Sequence, residues 1–243
     1  MDGHVVECDD GEDPLHARIF PPSAKLDAYG IAFDDLAVFE AAGHSRESTG
    51  KLATYGFVTY RGMRTLLESA AGGLQKARGG SESTLAEMLP GARFLDLGSG
   101  DGRAVIGAAI LAPTLAESVG VELSVARHDL AAKNREHLPE SLREVVRFEQ
   151  ADIFQLEHDR LASADIVWVS NLRFPDDLVE ELNNLLEKAC AQKRDAVVAT
   201  LRECPFKRPH SAWTEQVSMS WNPDGWPVFC YHLPALVAGN TAD

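Results

Sequence analysis

Three acids occur in this sequence directly where runs of strand-forming residues end. Asp96 lies in FLDLGSGDGR, Glu122 is in VGVELS, and Asp152 follows VVRFEQ. The carboxyl ends of parallel strands meet at one edge of an open α/β sheet, so we expect the three carboxylates around one ligand. Taken singly, each acid could instead be a surface group or a helix cap. Together they predict a ligand that carries ammonium, hydroxyl or amine donors.

The glycine loop after the first strand distinguishes between two classes of nucleotide ligand. Gly98, Gly100 and Gly102 alternate, and glycine permits sharp turns and close approach of a ligand to the backbone. A dinucleotide site uses G-x-G-x-x-G, but Arg103 occupies the sixth position, and Asp101 would repel a pyrophosphate. The cofactor S-adenosylmethionine (SAM) carries an ammonium and a sulfonium, which fit acids here. A tight turn without any ligand is the alternative.

Each predicted contact has a partner on SAM. The acid of the first strand and the glycines would hold the amino-acid end, and the acid ending the second strand would accept from the ribose hydroxyls. The acid after the third strand would accept from the adenine amine, while Ile153 or Phe154 covers the ring. The cofactor contacts predicted in this way are Asp96, Gly98, Gly100, Glu122, Asp152 and Ile153.

The segment ADIVWVSNLRF places Asn171 at the end of the fourth strand. Its amide can both donate and accept, so it could bridge the cofactor and a substrate amine. Phe174 could form the wall of a narrow apolar slot. The alternative is an Asx turn before the helix that begins at Pro175 and Asp176.

These residues require elements that alternate along the chain. Strand and helix patterns alternate over residues 92–200, which predicts a parallel, doubly wound sheet. Strands at residues 215–221 and 226–233, joined by a turn at Asn222–Gly225, would add an antiparallel pair. The predicted fold class is α/β, a seven-stranded, mostly parallel, Rossmann-like SAM-dependent methyltransferase fold. Residues 1–80 are predicted to form an arm and a small helical lobe, and residues 81–243 the methyltransferase domain.

Composition restricts partners and compartment. The chain of 243 residues has a net charge of −14, which disfavours nucleic acid unless basic groups cluster and tolerates a basic protein partner. Four scattered cysteines form no CxxC pair and no residues have metal-ligand spacing, so we expect no metal and a reducing compartment. No apolar run reaches the ~18–20 residues of a membrane helix, and the acidic N-terminus lacks a signal-peptide layout.

Four further motifs resemble the non-SET histone-lysine methyltransferases of the disruptor-of-telomeric-silencing (Dot-one) type. VSNLRF resembles the family's strand-four motif, and TYGFVTYRGM its upstream cofactor-covering loop. CPF is similar to the motif after strand five, and VSMSWNPDGWPVFCYHL to the terminal hairpin. The resemblance covers roughly residues 55–233. It implies a nuclear, SAM-dependent enzyme that methylates a lysine in the core of histone H3 within a nucleosome.

The resemblance also implies roles for individual residues. The cofactor-covering residues would be Tyr55 with Val58 or Thr59 beside it. The residues at the methyl-transfer point would be Asn171, Phe174 and Tyr231. The apolar channel for the lysine would be lined by Phe174, Trp221, Val228 and Tyr231.

The sequence departs from the family pattern at several positions. Phe57 replaces a glutamate, Arg103 replaces a common glutamine, and Cys230 stands at a channel tyrosine. The Lys-rich segment that some members use to hold nucleosomal DNA is missing, so DNA contact would be weak or would need a local basic patch. That patch would comprise Arg143, Arg147, Lys193, Arg194, Lys207 and Arg208. A lysine methyltransferase of a non-histone protein and a weakly catalytic SAM-binding subunit stay open as alternatives.

Overall fold

The computed structural model describes residues 13–21, 56–78, 84–190, 192 and 194–236, and seven strands of these residues form one sheet. The strands are β1 (Arg93–Leu97), β2 (Glu117–Glu122), β3 (Val146–Gln150), β4 (Ile166–Val169), β5 (Ala196–Thr200), β6 (Ser211–Met219) and β7 (Asn222–Leu233). Their order is β3-β2-β1-β4-β5-β7-β6. The first five run parallel, and β7 is antiparallel to β5 and β6. The predicted fold class is therefore confirmed.

Helices of the described residues cover both faces of the sheet. They are α1 (Pro14–Ile19), α2 (Tyr60–Arg78), α3 (Leu85–Met88), α4 (Arg103–Leu111), α5 (Val125–Arg135), α6 (Glu140–Val145), α7 (His158–Ala162) and α8 (Asp176–Ala189), with a 3₁₀ turn at Ile153–Gln155. The predicted helices at residues 61–77, 104–112, 123–138 and 176–192 correspond to α2, α4, α5 and α8. Helices α1, α6 and α7 were not predicted, because they are too short to show a helical period, and α1 lies in the segment predicted to be an irregular arm. The helical pattern at residues 31–42 lies outside the described residues.

Continuous apolar strands place the sheet between two hydrophobic cores. In β4, Ile166 and Trp168 pack into one core, and Val167 and Val169 into the other. Burial on both faces is typical of parallel sheets and explains the unbroken run of apolar residues. Full burial stabilises each such aliphatic side chain by about 1.5–3 kcal/mol relative to exposure.

Helix α2 packs against the sheet through residues at helical spacing. Met63, Leu66 and Ala70 are buried in the same core as Val197 of β5 and Val217 of β6. The helix thereby covers the part of the sheet formed by β5 and the antiparallel strands β6 and β7. The division at residue 80 into a lobe and a methyltransferase domain stays a prediction.

The predicted turn at Asn222–Gly225 is wrong. The hairpin reverses at Ser220 and Trp221, and Asn222 already pairs with Met219. Val217 pairs next with Trp226, so three residues beginning at Pro223 stand opposite a single residue of β6. Proline cannot donate to a strand ladder, and a bulge accommodates it. The turn-like composition therefore marks an irregularity inside β7.

Candidate functional site

A cavity of about 980 Å³, including the part open to solvent, lies at the carboxyl ends of β1, β2 and β4. Its walls come from the glycine loop, the ends of the strands, the 3₁₀ turn after β3 and residues 56–58 ahead of α2. The predicted residues that it brings together are Asp96, Gly98, Gly100, Glu122, Asp152, Ile153 and Phe174.

Asp96 provides a buried acceptor that the described chain does not satisfy. The residue is 3% exposed, and its Oδ1 atom has no hydrogen-bond partner among the described residues. Burial raises the pKa of this carboxyl well above its usual value, and the carboxylates of Glu122 and Asp101 raise it further. A ligand ammonium placed here would supply the missing donor and offset the repulsion. The amino-acid end of SAM carries such a group.

Glu122 joins the glycine loop to the end of β2. Its Oε2 accepts from the backbone N–H of Gly100 at 2.8 Å, and its Oε1 accepts from that of Ser124 at 2.9 Å. Each carboxylate oxygen can accept a second hydrogen bond. A ligand diol can therefore bind without displacing the backbone donors.

Asp152 caps the 3₁₀ turn and lines the cavity at the same time. Its Oδ1 accepts from the backbone N–H of Phe154 at 2.9 Å. The neighbouring Ile153 is buried, and both Ile153 and Phe154 line the cavity. The structure therefore shows the capping alternative for Asp152, and its contact with an adenine amine stays a prediction.

Asn171 is fully buried, and its amide holds the end of β4 to the loop after β5. Its Oδ1 accepts from the backbone N–H groups of Leu201 and Arg202, both at 2.9 Å. Its Nδ2 has no partner among the described residues. The flanking residues Ser170 and Phe174 line the cavity, whereas Asn171 does not. The side chain binds a distant loop rather than a local Asx turn.

The four channel residues do not meet around one channel in this structure. Phe174 lines the cavity, and Trp221 packs so closely over Gly56 that a Cβ there would lie 2.6 Å from the indole. Val228 points into the core that contains α2, whereas Tyr231 belongs to the opposite core. Val228 and Tyr231 are three residues apart on β7, and residues at that spacing face opposite sides of a sheet. Their separation could therefore be predicted from the sequence.

Tyr231 lies beside a second cavity. Its hydroxyl accepts from the backbone N–H of Cys204 at 2.9 Å, and its ring packs edge-on against Phe206 at 5.1 Å. The same cavity is lined by Phe229 and His210. The predicted role of Tyr231 at the methyl-transfer point stays a prediction.

The predicted cofactor-covering residues have different positions. Tyr55 lies outside the described residues. The Thr59 hydroxyl donates to the Ser218 carbonyl at 3.1 Å and accepts from the Gly62 N–H at 3.0 Å. Val58 lines the cavity, while Thr59 does not.

Two of the departures from the family pattern contact each other. The guanidinium carbon of Arg103 lies 4.0 Å from the ring centroid of Phe57 and 4.8 Å from that of Phe20. Its Nε atom is 2.8 Å from Oδ2 of Asp101. Arg103 is 7% exposed, and it lines the cavity together with Phe57 and Asp101. Both departures are visible in the sequence, but their contact depends on the tertiary structure.

The residues of the predicted basic patch mostly bind acids or carbonyls of the chain itself. Arg147 lies 3.3 Å from Glu117, and Arg194 lies 3.1 Å from Asp165. Arg143 pairs with Glu136, and Arg208 donates to the carbonyls of Cys190 and Pro234. Lys193 lies outside the described residues. The side chains of Arg147 and Arg194 stay partly exposed in these pairs, and Lys207 is exposed.

A metal-binding cluster and a membrane-spanning helix are both absent from the part of the chain that the structure describes. It contains no cluster of three histidine, cysteine or acidic groups suited to a metal ion. None of its helices is long and apolar enough to span a membrane.

The fold and the site define the class of SAM-dependent methyltransferases with a Rossmann-like sheet. The family described as "Histone methylation protein DOT1" matches residues 83–211, more than half of the chain. The chain belongs to this DOT1 family of histone methylation proteins and is a SAM-dependent methyltransferase. The matched segment includes the glycine loop, the three predicted acids and Asn171.

Solved structures that resemble this chain include several methyltransferases. An RNA methyltransferase from Salinibacter ruber, in complex with S-adenosyl-L-homocysteine, is 21% identical over 72% of this chain and 97% of its own, with a TM-score of 0.46. The methyltransferase domain of bacterial CtHen1 is 14% identical over 72% of this chain and 98% of its own, with a TM-score of 0.48. Geranyl diphosphate C-methyltransferase from Streptomyces coelicolor is 18% identical over 55% of this chain and 44% of its own, with a TM-score of 0.38. No curated protein matches the chain.

Proposed function

We propose that this chain is a protein-lysine N-methyltransferase of the nucleus whose substrate is a lysine in the core of histone H3 within the nucleosome. The observation that carries the proposal is the DOT1 match over residues 83–211, which contains the acids of the cavity. The unsatisfied carboxylate of Asp96 and the apolar wall at Phe174 support it. The first suits the ammonium of SAM, and the second suits the stem of a lysine.

When bound, SAM supplies an electrophilic methyl group. The chain must then align a neutral amine with that methyl, which is mainly catalysis by orientation. A free lysine has a pKa of about 10.4. Phe174, Leu178 and Trp168 line the cavity with apolar side chains, and an apolar lining disfavours the ammonium form and so lowers the lysine pKa. Asn171 contributes by holding the loop after β5, from which Arg202 donates to the carbonyl of Phe174.

The charge of the chain favours contact with histone over contact with DNA. The net charge is −14, and the arginines of the predicted patch are held by the chain's own groups. Asp177 is exposed and lies in the first turn of α8, close in sequence to Phe174 at the cavity, whereas its neighbour Asp176 is paired with Arg202. A basic protein surface would be attracted to Asp177. The same acidity favours a second candidate, a lysine methyltransferase of a basic non-histone protein.

Transfer of labelled methyl from SAM to three substrates tests the proposal. The substrates are intact nucleosomes, free histones and a cell extract, with nucleosomes whose H3 core lysines are changed to arginine as the control. We expect label on H3 in nucleosomes and its loss in the control. Label on extract proteins alone would favour the second candidate. Binding of SAM without any transfer would leave a cofactor-binding subunit and overturn the proposal.

A further inference from the structure

Arg103 places a positive charge inside a cavity whose charges are mainly acidic. The titratable groups that line the cavity are Asp96, Asp101, Glu122, Asp152, Arg103 and Arg127. Four carboxylates face two guanidinium groups, which suits the ammonium and sulfonium of SAM. The methionine end of SAM also carries one carboxylate, which is the anionic group of the cofactor. An acidic cavity must compensate that carboxylate with a cation or with aligned donors.

The position of Arg103 matches the place of this carboxylate. In SAM the carboxylate and the ammonium share one carbon atom, so both lie within a few ångströms of Asp96 if Asp96 holds the ammonium. Asp101 is close enough to Asp96 to raise the pKa of its carboxyl, and Asp101 lies 2.8 Å from Arg103. Arg127 belongs to the first turn of α5, where Ser124 caps the helix beyond β2. Arg103 is therefore the guanidinium on the methionine side.

We propose that Arg103 binds the carboxylate of the cofactor's methionine end, an inference that rests on the assignment of SAM as cofactor. A guanidinium can bind a carboxylate through two parallel hydrogen bonds. The rings of Phe57 and Phe20 and the carboxylate of Asp101 fix the plane of this guanidinium. A fixed guanidinium loses less conformational freedom on binding. Phe57 is thus a positioning residue for Arg103.

Phe57 is itself held by the hairpin of β6 and β7. Its N–H donates to the Ser220 hydroxyl at 3.2 Å, and its carbonyl accepts from the Ser220 N–H at 2.9 Å. Val58 forms an isolated bridge with Met219 next to it. The hairpin, the wall at residues 56–58 and Arg103 therefore form one connected side of the cavity. Phe57 and Arg103, the two departures from the family pattern, contact each other in this side of the cavity.

Calorimetric affinities for two ligands test the inference. S-adenosylhomocysteine contains the carboxylate, and decarboxylated S-adenosylhomocysteine keeps the amine but lacks the carboxylate. We expect the wild type to bind the first about 10–100-fold more tightly, as a charge-assisted pair would give. In Arg103→Gln this preference should fall close to one. In the control Arg127→Gln, which removes the same charge from the same cavity, the preference should persist.

Several outcomes would overturn the inference. Equal affinity of the wild type for both ligands would overturn the inference, and this measurement does not depend on whether Arg103→Gln folds. An undiminished preference in a folded Arg103→Gln protein would also do so. Failure of the wild type to bind S-adenosylhomocysteine at all would overturn the cofactor assignment, and the inference with it. Phe57→Leu, which keeps an apolar side chain but removes the ring, should reduce the preference to an intermediate value.

Discussion

At the scale of the residue, Asp96 is the side chain whose burial and charge conflict most. A carboxylate that is nearly inaccessible to water, lacks a partner for one oxygen and lies near two other carboxylates destabilises the ligand-free fold when it is ionised. Binding sites commonly contain such groups, because the ligand supplies the compensating charge. The ionised carboxylate of Asp96 therefore lowers the stability of the ligand-free protein but favours binding of a cationic ligand.

Asp96→Asn is expected to stabilise the ligand-free protein and to weaken cofactor binding. Since the folded state raises the pKa of Asp96, its ionisation costs stability above the unfolded pKa, and the asparagine avoids that cost. The gain in melting temperature should be present at pH 7–8 and should shrink as the pH falls through the folded pKa. Affinity for S-adenosylhomocysteine should fall at least about tenfold.

Asp165→Asn is the matched control for this prediction. Asp165 is equally buried, but its carboxylate accepts from the Arg93 N–H at 2.9 Å and pairs with Arg194. Its replacement should lower the melting temperature. A ligand-free Asp96→Asn protein that melts below the wild type at pH 8 would contradict the argument.

Asn171→Ala is expected to lose both stability and methyl transfer. Removal of Oδ1 leaves the buried N–H of Leu201 and that of Arg202 without their acceptor, which costs about 2–4 kcal/mol. Urea denaturation would measure the loss. Asn171→Asp keeps an oxygen acceptor for both N–H groups but replaces Nδ2 by an oxygen of a buried, ionisable carboxyl. Lost turnover in a folded Asn171→Asp protein would show that the acceptor alone does not support transfer. Near-wild-type turnover of Asn171→Ala would refute a role for this residue in transfer.

At the scale of the element, the loop between β1 and α4 combines two different requirements for glycine. Gly98 and Gly102 both have positive φ, +89° and +85°. A Cβ at Gly98 would meet nothing within 4 Å, whereas a Cβ at Gly102 would lie 2.5 Å from Phe148 and 3.2 Å from Ala131. The first glycine borders the cavity, and the second permits α4 to pack against β3 and α5.

The two alanine variants of this loop should therefore behave differently. Gly98→Ala incurs backbone strain of about 1–2 kcal/mol and narrows the cavity, so it should lose affinity for S-adenosylhomocysteine by at least about tenfold while remaining folded. Gly102→Ala adds a steric clash to the same strain and should lose roughly 2–5 kcal/mol of stability. Calorimetry and urea denaturation distinguish the two effects. Equal effects of the two variants in both measurements would contradict the assignment.

At the scale of the whole molecule, ligand binding must appear as global stabilisation. A ligand at 100 times its Kd adds about 2.7 kcal/mol of stability. For a protein of this size, each kcal/mol shifts the melting temperature by about 2–4 °C. S-adenosylhomocysteine should therefore raise the melting temperature by roughly 5–11 °C, measured by calorimetric scanning. NAD should cause no shift, because the loop carries Asp101 where a pyrophosphate would lie; an equal shift would revive a dinucleotide site.

Burial in the folded protein should also keep the thiols of Cys190, Cys204 and Cys230 unreactive. Burial raises the pKa of Cys190 and Cys230 to about 12 and that of Cys204 to about 11. At pH 8 the native protein should therefore show no alkylation of these three side chains, and denaturant should expose all of them. Peptide mapping after iodoacetamide treatment measures both states. Alkylation of Cys204 in the native protein would contradict its burial.

Some features of this protein depend only on short stretches of the sequence. Apolar runs such as IVWV show by their continuity that the strands are buried on both faces, and their alternation with helices implies a parallel sheet. The chain direction of parallel strands then brings Asp96, Glu122 and Asp152 to one edge. These features could be predicted because a strand, its end and the following loop are neighbours in the chain.

Other features depend on contacts between distant parts of the chain. The acceptor role of Asn171 requires the backbone of Leu201 and Arg202, some thirty residues later. The stacking of Arg103 on Phe57 requires two segments that the sheet brings together. The sequence alone determined the fold class and the edge of the sheet at which the acids meet, because local patterns encode both. Only the tertiary structure decided which side chains share a cavity, because that depends on packing across the sheet.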